Sequence, residues 1–153
     1  MQTINEDIKN GTFKPVYLLY GEEAFLKQSY KKKLRAAITG DDTMNYNYFE
    51  GKGLDVNELI SLADTMPFFS ERRLILIEDS GFFKSSCEDL AEYLTQVAPA
   101  THFIFVEEEV DKRGKLYKAV KSVGRIVEFG RQDERSLMRW ILSSVKKEGK
   151  QIT

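Results

Sequence analysis

Pro15-Val16-Tyr17-Leu18-Leu19-Tyr20-Gly21-Glu22-Glu23-Ala24-Phe25-Leu26 changes character at its single glycine, and the fold class follows from that change. The five residues before Gly21 are apolar or aromatic, with no polar residue alternating among them. So short and continuous a run suits a strand covered on both faces, as in a parallel sheet. Beyond Gly21 the spacing becomes helical. Leu26, Tyr30, Leu34, Ala37 and Ile38 form one stripe, and Gly40 is placed to end it.

The same alternation extends in both directions. Upstream, Thr3-Ile4-Asn5-Glu6 has the form of a capping box, so a short helix is expected with Ile4 and Ile8 on one face and Gly11 at its end. Downstream, residues 46–50 read as a strand. A helix follows, with Val56, Leu59, Ile60, Ala63 and Met66 at helical spacing and Pro67 as its stop. Leu74-Ile75-Leu76-Ile77 is the strongest strand signal and ends in Glu78-Asp79. Cys87, Leu90, Ala91, Leu94 and Ala98 mark a further amphipathic helix, stopped by Pro99. Residues 102–107 give a fourth strand, 116–123 a helix and 125–129 a fifth strand. Asp133 is placed to cap a last helix carrying Leu137, Met138, Ile141, Leu142 and Val145. Five strands alternating with helices predict a doubly wound, mostly parallel five-stranded sheet covered on both faces.

Composition narrows the function classes. The chain has 153 residues, which suits one compact domain. Lys and Arg total 23 and Asp and Glu 24, a net charge of −1. A protein held mainly by phosphate contacts carries a cationic excess, and none exists here. The basic runs at 31–33, 112–115 and 146–147 fall in helical patterns and read as solvated faces. No apolar run approaches the roughly 18 residues of a membrane span, and the first residues lack the pattern of a secretory signal, so the expected compartment is the cytoplasm. Cys87 is the sole cysteine; on a helix's apolar stripe it reads as a small hydrophobe.

In a doubly wound fold the turn after the first strand is where phosphates bind. A phosphate loop needs G-x-x-x-x-G-K-S/T there. Gly21-Glu22-Glu23-Ala24-Phe25-Leu26-Lys27-Gln28 keeps the first glycine and lacks both the second and the Lys-Ser/Thr pair. Glu22 and Glu23 at a helix N-terminus complement its dipole and repel a triphosphate. Lys27, one turn into the helix, reads as a solvated side chain. Glu78-Asp79 sit where acids hold magnesium in nucleotide hydrolases, yet have no phosphate loop to serve. His102 has no Ser or Cys partner in prospect. Glu107-Glu108-Glu109 with Asp111 read as a solvated acidic turn, because neighbours along a strand point to opposite faces. No catalytic residue, cofactor or metal is expected.

One segment stands apart. Thr65-Met66-Pro67-Phe68-Phe69-Ser70-Glu71-Arg72-Arg73 places two large aromatics after a proline in a short connection. Consecutive side chains in extended backbone diverge, so either one ring caps the core while the other covers the sheet edge, or the pair marks a binding surface. Phe82-Phe83 poses the same choice.

Taken together, these stretches resemble the N-terminal domain of the delta subunit of the bacterial DNA polymerase III clamp loader. The likeness rests on the short opening helix before Pro15 to Leu26, on Met66-Pro67-Phe68-Phe69-Ser70, and on Arg72-Arg73-Leu74-Ile75-Leu76-Ile77. It rests also on residues 103–107 followed by Asp111-Lys112-Arg113, and on Val127-Glu128-Phe129 leading into the helix with Trp140. The resemblance implies an AAA+/RecA-like domain with a degenerate nucleotide site over residues 1–133. Residues 134–153 would then form a final helix leading towards further helical domains. It implies that Met66, Pro67, Phe68 and Phe69 enter a hydrophobic pocket on the sliding clamp (the beta subunit). Many members carry Leu then Phe where this chain has Phe68 and Phe69. Arg72 and Arg73 would meet acids on the clamp rim. Other loader subunits would bind chiefly through later domains and supply ATP-driven motion, with DNA contact indirect or weak and no membrane contact. The competing expectation is a non-catalytic AAA+-like scaffold in another assembly.

Overall fold

The structure is a computed structural model and describes residues 2–40, 45–65, 72–84, 87–98 and 100–130. Its elements run α1 (Gln2–Asn10), β1 (Val16–Tyr20), α2 (Ala24–Ile38), β2 (Tyr46–Glu50), α3 (Val56–Ala63), β3 (Arg73–Glu78), α4 (Glu88–Leu94), β4 (Thr101–Glu107), α5 (Lys115–Val123) and β5 (Arg125–Glu128). A short 3-10 turn, Phe82–Lys84, follows β3.

The strands form one sheet in the order β2-β3-β4-β1-β5. All four pairings are parallel, so the expected mostly parallel sheet is wholly so. Alternation along each strand divides the core. Tyr17 and Leu19 of β1, Leu74 and Leu76 of β3, and Ile104 and Val106 of β4 pack under α1 and α2. Val16, Leu18, Ile75, Ile77, Phe103 and Phe105 pack under α3, α4 and α5. Right-handed crossovers require this split. The chain moves across the sheet in one direction from β1 to β2, and in the other from β2 through to β5. With both faces covered, β1, β3 and β4 are buried along their whole length, which is why they read as unbroken apolar runs.

Local chemistry sets the boundaries. Asp55 caps α3 by accepting from the Asn57 amide at 2.9 Å. Gly40, at φ +58, follows the end of α2. The helix α1 begins at Gln2, so Thr3 lies inside its first turn instead of capping it. Phe82 and Phe83 are both buried in the core under α3 to α5, which settles the choice left open by their sequence. Cys87 stands at the N-cap position of α4, not on its stripe, and is half-buried against the same core.

A polar clamp fastens α1 to the far edge of the sheet. Asp7 accepts bidentately from Arg125 of β5, at 2.7 and 2.9 Å, and from the Tyr17 hydroxyl of β1 at 2.7 Å. Burial alone would push the Asp7 carboxyl up. The hydrogen bonds from Arg125 and Tyr17 outweigh it and hold the group below the usual carboxylate range.

Candidate functional site

The two stretches singled out by the sequence lie at opposite ends of the parallel strands. At the carboxyl end lies the turn after β1. Gly21 has φ +128, and a Cβ there would fall 2.2 Å from the Phe129 carbonyl oxygen. Only glycine lets the two backbones approach so closely. The Gly21 amide donates to the Glu107 carbonyl at 3.2 Å, and the Glu23 amide to the Phe129 carbonyl at 3.0 Å. The Glu23 carboxylate caps α2 by accepting from the Leu26 amide at 2.5 Å. Backbone donors that would face a phosphate in a phosphate loop thus already have internal acceptors. Glu22 is exposed beside them.

Lys27 corrects the sequence reading. It is buried, and its ammonium donates to the carbonyls of Gly21 at 2.8 Å and Glu107 at 3.2 Å. Helical side chains lean towards the N-terminus, which aims Lys27 back over the turn it closes. The signal was present in its register: Lys27 lies three residues before Tyr30 and seven before Leu34, on the buried stripe of α2.

The acids at the strand ends are likewise engaged. Glu78 accepts from Lys31 at 2.5 Å and from the Tyr48 hydroxyl at 2.8 Å. Burial raises its affinity for a proton, and these donors reverse the effect, so its pKa falls below the ordinary value. Glu107 departs from the expected solvated turn. It is buried, and its carboxylate accepts from the Ser80 amide, the Ser80 hydroxyl and the Gly81 amide at 3.0–3.1 Å. Here burial outweighs the donors and raises the pKa. Glu108 and Glu109 are exposed, as expected of them. Among the described residues no cluster of three His, Cys, Asp or Glu side chains could hold a metal ion. No described helix is long and apolar enough to cross a membrane.

At the amino end lies the connection from α3 to β3. Met66, Pro67, Phe68 and Phe69 fall in residues 66–71, outside the described residues, as does the last helix expected from Asp133 with Trp140. What the structure describes is the ground on which the connection stands. Arg72 donates to the Gly11 carbonyl at 3.1 Å, and its guanidinium lies 4.7 Å from the centre of the Phe13 ring. Arg73 is the first residue of β3, buried, with a guanidinium nitrogen donating to Asn47 at 3.1 Å. Its side chain is thus engaged inside the fold instead of being presented on a rim. His102 is buried beside Phe13, with Nδ1 2.8 Å from the Lys14 carbonyl oxygen. That is the structural role its sequence suggested.

The strand order, with β1 between β4 and β5, is that of an AAA+-like α/β fold, and the turn at its phosphate position caps a helix. The chain belongs to the family described as DNA polymerase III, delta subunit, which it matches over residues 17–130, about three quarters of its length. It is 28% identical to the DNA polymerase III subunit delta of Bacillus subtilis over 160 aligned positions, covering 96% of this chain and 46% of that protein. The solved Bacillus subtilis DNA clamp loader delta protein superposes with a TM-score of 0.79 at 26% identity, covering 96% of this chain and 47% of the other. A gamma subunit-related protein from Thermotoga maritima (TM-score 0.58, 12% identity, 87% and 46% coverage) shares the fold. So does the ORC2 protein of Aeropyrum pernix (0.50, 11%, 95% and 50%). The chain spans about half the length of the delta relatives it matches.

Proposed function

We propose that this chain is the clamp-contacting domain of a clamp-loader delta subunit, and that Phe68 and Phe69, with Met66 and Pro67, plug a hydrophobic pocket on the sliding clamp. The observation that carries the reading is the contrast between the two ends of the sheet. The turn where a nucleotide would sit is closed by Lys27, Glu23 and the Phe129 backbone. The apolar run lies in the connection at the opposite end. Burying two Phe side chains contributes roughly 1.5–3 kcal/mol each, before the costs of association and ordering. Docking would favour the open ring only to the extent that the subunit binds it better than the closed one. The domain acts as a wedge without its own fuel, and nucleotide-driven motion comes from partner subunits. Arg72, bordering the segment, supplies a cation near the clamp rim; Arg73 takes no part. The work is cytoplasmic, within the replication machinery.

The test is surface plasmon resonance of the full chain on the immobilised beta sliding clamp. Phe68→Ala with Phe69→Ala should weaken binding at least about a hundredfold, the loss of roughly 3–6 kcal/mol of apolar burial, with the melting temperature unchanged. Undiminished affinity in the double variant would remove the assignment and favour a scaffold role in another assembly. Calorimetry with magnesium-ATP should give no binding heat.

A further inference from the structure

The strand β2 stands at the edge of the sheet, and its pairing with β3 uses only half of its backbone. The Leu74 amide donates to the Asn45 carbonyl at 2.9 Å, and the Gly51 amide to the Glu78 carbonyl at 3.0 Å. Residues facing a neighbouring strand alternate, so 45, 47, 49 and 51 face β3, and the amides and carbonyls of Tyr46, Tyr48 and Glu50 point outwards. Among the described residues no strand lies beyond them. Natural edges are blunted by lysine, proline or a bulge. Tyr46-Asn47-Tyr48-Phe49-Glu50 contains neither residue, and its register with β3 is unbroken. Tyr48, at its centre, is 45% exposed.

We propose that β2 is a pairing edge for a second copy of this chain, joined antiparallel across a two-fold axis at Tyr48. The inference goes beyond the clamp reading and does not depend on it. Its basis is a self-complementary register. In an antiparallel pair, directly opposed residues with facing backbone groups exchange both hydrogen bonds. A two-fold at Tyr48 opposes Tyr48 to Tyr48 of the second copy and Tyr46 to its Glu50, so each outward amide meets an outward carbonyl. The side chains agree with the backbone. Tyr46, Tyr48 and Glu50 share one face of the strand, where the Arg35 guanidinium of α2 lies 3.9 Å from the centre of the Tyr46 ring. Neither Arg35 nor Glu50 has an ion-pair partner among the described residues. Opposing Tyr46 to Glu50 brings that exposed carboxylate to Arg35 on each side of the axis, and two tyrosine rings meet upon it. The helix α2 leaves room for this, since it packs on β1, β3 and β4. From β3 to the second copy's β3 is three strand spacings, roughly 14 Å, against about 10–12 Å for a helix with its side chains.

Sedimentation equilibrium of the full chain tests the proposal. One strand pair lies at the small end of specific interfaces, so the expected dimer is weak, with a dissociation constant of roughly 0.1–1 mM. Tyr48→Pro removes an amide that bonds nothing in β3, a change an edge strand accepts. It should weaken the dimer about tenfold, through the hydrogen bonds lost on the axis. Glu50→Arg sets like charges against each other and should weaken it about three- to tenfold. Adding Arg35→Glu reverses both signs and should bring the parent value back. Hydrogen exchange at the amides of Tyr46, Tyr48 and Glu50 should slow as the parent's concentration rises. A parent that stays monomeric to roughly 1 mM overturns the proposal. So does a dimer indifferent to both Tyr48→Pro and Glu50→Arg, and so does a charge-reversed double variant no tighter than Glu50→Arg. Should Tyr48→Pro lose the parent's circular dichroism, Glu50→Arg and the double variant decide alone.

Discussion

The turn after β1 and the connection before β3 lie at opposite ends of the same parallel sheet, and the first closes its polar groups on the domain's own backbone. At the carboxyl end, ligand-binding α/β folds leave amides and a lysine pointing into a crevice. Here the amides of Gly21 and Glu23 and the ammonium of Lys27 all close on internal carbonyls. At the amino end Arg72 and Asp64, on either side of an apolar stretch of sequence, are held by the Gly11 carbonyl and the Tyr93 hydroxyl. A fold can thus retain the shape of a nucleotide-binding domain while its own atoms take the nucleotide's place.

The largest effect should come from forcing the carboxyl end apart. Gly21→Ala places a Cβ against the Phe129 carbonyl at a φ that L residues rarely adopt. Thermal or urea unfolding should show a loss of about 3 kcal/mol or more, the size of a strained core substitution. A near-neutral result would mean that the approach of Phe129 to this turn is not fixed, and the comparison would lose its first term.

Lys27→Met sharpens the same point at smaller cost. It keeps the length of the side chain and removes the ammonium from the Gly21 and Glu107 carbonyls, of which Glu107 keeps the Gly21 amide as donor. Denaturant unfolding should show about 1–3 kcal/mol of destabilisation. Clamp affinity should be untouched, because the other end of the sheet is unaltered. A gain of magnesium-ATP binding in this variant would show that the lysine alone had been blocking the site, against the present reading that the whole turn is closed.

How much of this was legible depended on how far apart the partners stand in sequence. β1, β3 and β4 announced themselves because burial on both faces leaves an unbroken apolar run, and Gly21 announced the turn. Glu23 was legible as a helix-terminal acid because its acceptor role is local: the amide it binds is three residues away. The strand order was not legible, since the alternation of elements is the same whichever way the crossovers turn. Nor was the burial of Lys27 or Glu107. Lys27 reads as solvated until β4 brings the Glu107 carbonyl, 80 residues away, to its ammonium. Glu107 reads as one of three acids in a turn until Ser80 and Gly81 arrive beneath it. Arg73 looked the equal of Arg72, but strand alternation sends adjacent side chains to opposite sides, and only one is drawn into the sheet.

The smallest effect concerns the amino end and is read as a pH dependence. Burial lowers the His102 pKa, Arg72 adds to the depression, and the hydrogen bond to the Lys14 carbonyl opposes it. The folded protein therefore takes up this proton less readily than the unfolded chain, whose imidazole titrates near 6.5. Stability is fully present above about pH 6.5 and is lost as pH falls from there through the lower folded-state value. Asp7 shows the separate acid limb. Its folded pKa is depressed, so its contribution persists above the ordinary carboxylate range, near 3.9, and disappears only below it. The raised Glu107 carboxyl acts with the opposite sign, losing its contribution as pH rises through its folded value. In urea unfolding between pH 7 and pH 3, His102→Gln should flatten the fall that starts at about pH 6.5 and leave the Asp7 limb. If the substitution leaves that fall unchanged, another group titrates there and His102 is not buried as a neutral ring. The Phe13–His102 packing beneath Arg72 would then need a different account.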